Sequence, residues 1–476
     1  MTPFTRRTPL RWRPSAFSDP RGLVTGPRRL ITLAIETSCD DTAVAILRRR
    51  NSTHTSTTTS ANTHELLFNE RISSDHRRFR GIEPLVAVQG HTSSLAPLLR
   101  KALAHLPEAD TTTASTGNRR RICWDEDGRA RQVPDFVSVT RGPGIMPNLA
   151  VGLNTAKGLA LAWDVPLVGV HHMQAHALTP RLVTALGLSQ AAAGSSNTSP
   201  VTTASGPDFP FLSLLVSGGH TQLVNSRSLT EHSIVATTAD VAIGNLLDHA
   251  ARSILPEPVL AAAADVMYGR VLESFAFPDG GTAEEYAFYR PAASRGDELV
   301  DQDTGYPWVL PSPLRQSRKL AYSFSSLGTI SDRITAANPG MDEDERRALA
   351  RHLMAGAFSH LVGRLCIALE DVPGLAEAST LVVAGGVACN RFLMHVLRTS
   401  LAVRGYGHLE IMAPPPYLCT DNAAMIAWAG MEMFEAGWET DESVLAINKW
   451  PMDPALGHGI MGAPGWKRRP GFGAGA

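Results

Sequence analysis

Apolar patterning begins abruptly at position 31. Residues 31–35 (Ile-Thr-Leu-Ala-Ile) form one apolar run, and further runs cover 42–47 and 65–69. Short, closely spaced runs of this kind predict the strands of a β-meander. The period then changes. Residues 91–106 carry apolar positions at helical spacing, followed by a strand at 135–139, a helix at 148–163 and a strand at 165–170. A second block repeats the scheme. It has a buried strand at 211–216, then a long helix at 342–369 with Leu349, Leu353, Phe358, Leu361 and Leu365 on one face. A strand at 381–383 and a helix at 390–401 follow. Strand–helix alternation after a hairpin, occurring twice, predicts two α/β units.

Polar stretches interrupt the pattern. Residues 51–60 are all Ser, Thr, Asn or His, while 108–131 and 189–208 are rich in Thr, Ser, Ala and Gly. These read as insertions in surface loops, where closure entropy grows only with the logarithm of length. Residues 278–308 read as irregular. The tail from Pro451, ending Gly-Phe-Gly-Ala-Gly-Ala, reads as disordered.

A chain of 476 residues exceeds what one hydrophobic core serves, which agrees with two domains. A net charge of −1 is not that of a basic nucleic-acid binder, so any RNA contact must come from local basic patches or from a partner. The five cysteines include no C-x-x-C pair, which argues against a disulfide scaffold or a thiolate zinc knuckle and for a reducing compartment. No apolar run reaches the roughly 18 residues of a membrane span, so none is expected. Residues 1–30 differ from the rest. Arg6, Arg7, Arg11, Arg13, Arg21, Arg28 and Arg29 stand against one acid, Asp19. That is the composition of an organelle transit peptide; the alternative is a basic tail that stays attached and meets RNA phosphates.

His172 and His176 are four residues apart, which on a helix places both imidazoles on one face, close enough to share an ion. The spacing alone also fits a plain polar helix face. Asp421 is the candidate third ligand, and two imidazoles with a carboxylate suit zinc or ferrous iron. A metalloprotease would need Glu where Met173 stands. Glycine-containing turns follow three strands: Thr140 to Gly144, Ser217-Gly218-Gly219, and Gly385-Gly386 leading to Asn390. Glycine there lets backbone N–H groups approach an anion, which points to a nucleotide; three structural turns are the other reading. Residues 36–42 (Glu-Thr-Ser-Cys-Asp-Asp-Thr) offer hydroxyls and carboxylates for phosphate, metal or proton transfer, or are ordinary turn residues. Asp40 and Asp41 are adjacent, so on a regular strand they point apart.

Taken in order, the motifs resemble one family. They are Ile35 through Thr42, Gly142-Pro143-Gly144, His171 through His176, Leu215 through Thr221, Gly385-Gly386-Val387 with Asn390, and Cys419 through Met425. The chain resembles the universal tRNA threonylcarbamoyl transferases, in their mitochondrial branch, from about Leu33 to Trp438.

The resemblance implies an α/β fold of two tandem actin-like lobes, as in sugar kinases and actin, with a nucleotide and metal cleft between them. The first lobe would comprise 31–178 with 412–445, and the second 179–411. Residues 1–30 would be a mitochondrial transit peptide and 446–476 a largely disordered extension. The metal ligands would be His172, His176 and Asp421, holding one divalent ion: iron or zinc, with magnesium a further option. Substrate contacts would fall on Leu215, Val216, Ser217, Gly218, Gly219, Asp248, Gly269 and Asn390.

The donor would be threonylcarbamoyl-adenylate, and the acceptor the adenosine beside the anticodon of tRNAs reading codons that begin with A. Asp40 or Asp41 would take the proton. The chain would act as a homodimer in the mitochondrial matrix.

Three departures from the family pattern stand out. Gln174 replaces a Glu, Phe324 through Gly328 lacks the lysine of F-S-G-L-K, and Val266 through Arg270 replaces a P-G-G-P turn. An actin-like ATPase or kinase, or a non-catalytic scaffold, are the competing readings; the His–His–Asp set separates the first of these.

Overall fold

The computed structural model describes residues 29–50, 63–109, 122–188 and 206–472. β1 (Ile31–Glu36), β2 (Asp41–Arg49) and β3 (His64–Ser73) form an antiparallel meander. Then come α1 (Pro84–Leu103), β4 (Ile122–Trp124), β5 (Ala130–Gln132), β6 (Phe136–Gly142), α2 (Met146–Trp163), β7 (Leu167–His171) and α3 (His172–Ala185). A second antiparallel meander is formed by β8 (Phe211–Val216), β9 (Thr221–Ser226) and β10 (His232–Thr238). α4 (Ile243–Ile254), α5 (Glu257–Ala261), α6 (Tyr268–Ala276), α7 (Ala283–Tyr286), β11 (Ala321–Tyr322), α8 (Ser325–Ala337) and α9 (Glu343–Asp371) follow. The chain continues through β12 (Thr380–Ala384), α10 (Arg391–Val403), β13 (Glu410–Met412), α11 (Pro416–Cys419), α12 (Ala423–Glu435), β14 (Trp438–Thr440) and β15 (Trp466–Arg468).

The strands form two large mixed sheets, ordered β15-β14-β7-β6-β1-β2-β3 and β11-β10-β9-β8-β12-β13. Each contains the same unit, a meander whose first strand is extended by two parallel strands: β6 and β7 beside β1, β12 and β13 beside β8. β1 is buried along its whole length because it lies centrally with neighbours on both edges; that is why its sequence is nearly continuous in apolar residues.

α3 and α12 lie between the sheets. One apolar core joins Ala34, Phe136 and Val170 to Leu215, Val224 and Val382 through these two helices. α12 sits close on β6, since a Cβ at Gly430 would lie 2.1 Å from Ser138 Oγ. α9 is long and apolar enough to cross a bilayer, but 83% of its apolar window is buried within the fold. Its start is set by Asp342, whose carboxylate accepts from Glu345 N at 2.8 Å, with acids in the first turn complementing the helix dipole.

The structure departs from the sequence reading in three places. Within 108–131, read as an irregular insertion, β4 and β5 form a hairpin. Asp125 closes it by accepting from Arg129 N at 2.8 Å and Arg131 Nε at 2.7 Å. The tail from Pro451 is packed rather than disordered through Phe472. Trp450, Met452, Ile460 and Ala463 are buried, and β15 pairs with β14. Gly and Pro dominate its composition, yet Trp450 and Trp466 anchor it by donating to Gly459 O and Ile460 O. Finally, α3 runs unbroken across the boundary placed at 178–179. The insertions at 51–60 and 189–205 and the segment 1–28 lie outside the described residues.

Candidate metal and nucleotide site

β7 runs directly into α3, and His171 makes the join. Its Nδ1 accepts from Gln174 N at 3.3 Å while its Nε2 donates to Trp450 O at 2.7 Å. Burial pushes His171 down to about 3, so it is neutral and can fill both roles. This cap sets His172 and His176 on one helix face, both buried, with ring centroids 4.7 Å apart. Asp421 comes from the loop between α11 and α12. That loop is fixed by Asn422, which donates to Thr420 O at 2.8 Å and accepts from Met425 N at 3.0 Å.

Asp421 Oδ1 lies 3.1 Å from His176 Nε2 and 3.5 Å from His172 Nε2, and all three ligand atoms fall within 4.8 Å of one another. Two imidazole nitrogens and a carboxylate at this separation fit one divalent cation with bonds near 2 Å. On the far side of His172, Nδ1 faces Glu36 Oε2 and Ser38 Oγ, each at 3.2 Å. Glu36 is wholly buried and also accepts from Ser38 N and Thr140 Oγ1. Burial alone would lower His172 and raise the two carboxyls. The attraction of His172 to each carboxylate outweighs it, although the two carboxylates repel each other: His172 is pushed up to about 10, Glu36 lies below its ordinary value and Asp421 well below.

Two of the three glycine turns converge here. β8 and β12 are parallel neighbours, and their C-terminal turns pack so closely that a Cβ at Gly385, with φ of +101°, would lie 2.3 Å from Val216 O. Gly386 faces Thr420, the neighbour of Asp421. His220, at the end of the Ser217–Gly219 turn, is lowered to about 4 by burial and then by the charges of His172 and His176. A Cβ at Gly218 or Gly219 would meet nothing within 4 Å among the described residues, so no packing among them requires glycine there. The third turn is structural. Cβ atoms at Gly142 and Gly144 would collide with Ile447 O and with Ser38.

A family model described as tRNA N6-adenosine threonylcarbamoyltransferase matches residues 130–198 and 187–428. A mitochondrial tRNA N6-adenosine threonylcarbamoyltransferase of Schizosaccharomyces pombe is 33% identical over 436 residues, covering 90% of this chain and 88% of its own. A tRNA N6-adenosine threonylcarbamoyltransferase of Brucella anthropi is 32% identical over 442 residues, covering 90% and 99%. The chain belongs to this family. Among solved structures, HypF of T. kodakarensis overlaps 86% of this chain and 48% of its own at 10% identity and a TM-score of 0.40.

The remaining residues that the family resemblance singled out fall in distinct environments. Leu215 and Val216 have fully buried side chains, leaving only backbone to offer a ligand. Asp248 accepts from Gly269 N at 2.7 Å, so those two positions do come together despite the altered turn before Gly269. Burial pushes the Asp248 carboxyl up to about 6. Asn390 caps α10, accepting from Leu393 N at 2.8 Å. Gln174 turns away from the three ligands and donates to Leu229 O at 2.7 Å, a bond an ionised glutamate could not make.

Asp41 is raised to about 7 by burial and by Asp40, against Arg71, whose Nη1 lies 3.1 Å away. Asp40 is raised by burial and then by Asp421. Of the residues around His172 and Asp421, only Arg71 went unread in the sequence. Glu36 and Ser38 lie in a quoted motif, but nothing in the pattern paired them with His172. Arg71, on β3, left no local signal at all.

Proposed function

We propose that the chain transfers a threonylcarbamoyl group from threonylcarbamoyl-adenylate to N6 of the adenosine beside the anticodon, in tRNAs reading codons that begin with A, and releases AMP. The observation that carries this reading is the His172–His176–Asp421 set beside two glycine turns, one of which has glycines that no internal packing requires. A bound divalent ion, iron or zinc, would act as a Lewis acid toward the donor's carbonyl oxygen.

The chain's own residues do the rest. Glu36 and Ser38 hold His172 by Nδ1, which keeps its Nε2 toward Asp421. Backbone N–H groups of Gly218, Gly219 and Gly385–Gly386 receive the phosphate as AMP departs, while Ser217 N closes the turn by donating to His220 O at 2.9 Å. Asp248 and Gly269 flank the nucleotide. Adenine N6 is a poor nucleophile, so holding it against the carbonyl supplies much of the acceleration. Asp40 or Asp41, both raised above ordinary carboxylates, accepts the N6 proton as the new bond forms.

In this reading each large sheet is the centre of an actin-like lobe and the site lies between them. The enzyme works as a homodimer in the mitochondrial matrix, delivered there by residues 1–30. The name of the yeast relative and the Arg-rich composition of that segment support the location.

The test is incubation of purified protein with unmodified tRNA and threonylcarbamoyl-adenylate, followed by nucleoside mass spectrometry. The expected result is threonylcarbamoyl-adenosine from the wild type and none from His172→Ala. No modified nucleoside, with ATP hydrolysis by the same protein in a parallel incubation with ATP, would instead favour an actin-like ATPase.

A further inference from the structure

The site is rich in negative charge. Glu36, Asp40 and Asp41 are buried, Asp421 is half-buried, and the four lie within electrostatic reach of one another. His172 and the proposed cation answer Glu36 and Asp421, so it is beside Asp40 and Asp41 that a donor carrying a phosphate and a carboxylate needs further positive charge. Among the described residues, Arg71 is the only Arg or Lys paired with any of these four carboxylates.

Its three contacts all use one nitrogen. Nη1 donates to Asp41 Oδ2 at 3.1 Å, Thr420 Oγ1 at 2.6 Å and Asp421 O at 3.4 Å. Nε and Nη2 have no partner among the described residues, and the side chain is 38% exposed. Those two nitrogens form the edge of the guanidinium that grips a carboxylate or phosphate with two parallel bonds. Arg71 also lies near the glycine turn after β12. The thiol of Cys389 there is lowered first by a hydrogen bond from Cys419 and in part by the Arg71 charge. One guanidinium thus ties Asp41, at the start of β2, to the loop that carries Asp421, and Thr420 of that loop in turn faces Gly386.

We infer that Arg71 is a substrate-binding residue that grips an anionic group of the donor, either its threonine carboxylate or its phosphate, through Nε and Nη2. This rests on the transfer reaction proposed above.

The test uses the full chain with Arg71→Ala and Arg71→Lys, following product formation against donor concentration. Metal affinity by chelator competition and thermal stability are measured alongside. The expected result is a donor KM raised about 10–100-fold in Arg71→Ala, with kcat, metal affinity and stability little changed, and an intermediate KM in Arg71→Lys. A donor analogue built from 1-amino-2-propanol lacks the threonine carboxylate. If the wild type and Arg71→Ala use it equally, the carboxylate is the partner; if their KM ratio persists, the phosphate is.

An unchanged KM in Arg71→Ala overturns the inference. So does a loss of metal affinity that matches the loss of activity, because Arg71 would then only brace the Asp421 loop. Absence of product from the wild type would sink the transfer reading itself, whatever Arg71 does.

Discussion

Glu36 ends β1 with a carboxylate that is entirely buried, and it is stabilised there by bonds from Ser38 N, Thr140 and His172. It and Ser38 Oγ lie equally close to Nδ1, and its charge makes it the stronger of the two in orienting the imidazole. Glu36→Gln keeps an acceptor oxygen but removes the charge. Metal affinity measured by chelator competition should fall about 10–100-fold while the protein stays folded. Unchanged affinity would mean that Ser38 alone orients His172.

Asp248 supplies a second test at this scale. Its folded value, about 6, lies above the ordinary 3.8, so the folded state holds the proton more tightly than the unfolded chain does. The stability this provides is complete below about pH 4 and is lost as pH rises through 6. Asp248→Asn should therefore raise the melting temperature relative to wild type at pH 8, by up to about 3 kcal/mol of stability, and not at pH 4. An equal effect at both pH values would show that the carboxyl is not desolvated.

The two glycine turns show how elements build a site. β8 and β12 run side by side, so their ends deliver both turns to one place. Yet the glycines answer to different demands. Gly385 has a positive φ and no room for a side chain, so Gly385→Ala should cost about 2–4 kcal/mol in chemical denaturation. Gly218 has open space in front of it. Gly218→Ala should leave stability within about 0.5 kcal/mol while weakening AMP binding measured by calorimetry. If AMP binds Gly218→Ala as well as wild type, the turn is not the phosphate site.

Element types were legible from sequence wherever burial is one-sided or complete, as in β1, α9 and β12. The hairpin β4–β5 was not. Its strands are three residues each and their one buried side chain is Arg131, so they carry no apolar alternation to read.

At the scale of the whole molecule, residues 444–472 lock onto the rest. Arg141 donates to Leu445 O at 2.9 Å and Pro464 O at 2.7 Å, His171 donates to Trp450 O, and Asp453 accepts from Ile234 N at 2.7 Å in the second sheet. The tail therefore braces the residue that caps α3 and ties the two sheets together. Trp450→Ala should cost about 3–5 kcal/mol in thermal or chemical denaturation. It should also weaken metal binding, because His171 loses the environment that holds the start of α3. A Trp450→Ala protein as stable as wild type would mean the tail is dispensable.

What the sequence determined by itself was local or list-like: the twofold meander-plus-helix pattern, the histidines on one helix face, the glycines after strands, and motifs in a family's order. Each follows from periodicity, turn chemistry or residue identity, which need no third dimension. Tertiary structure decided which of these meet. Glu36, Arg71, His172 and Asp421 are separated by tens to hundreds of positions, and no local period links them. Only the meander that sets β3 beside β2 and β1, the pairing of β1 with β6, the docking of α3 on α12 and the loop before α12 put neighbouring members within 3–4 Å. The same packing moved the third glycine turn from candidate ligand site to structural joint. It also ordered a Gly- and Pro-rich tail through a few large side chains whose burial outweighs the composition around them.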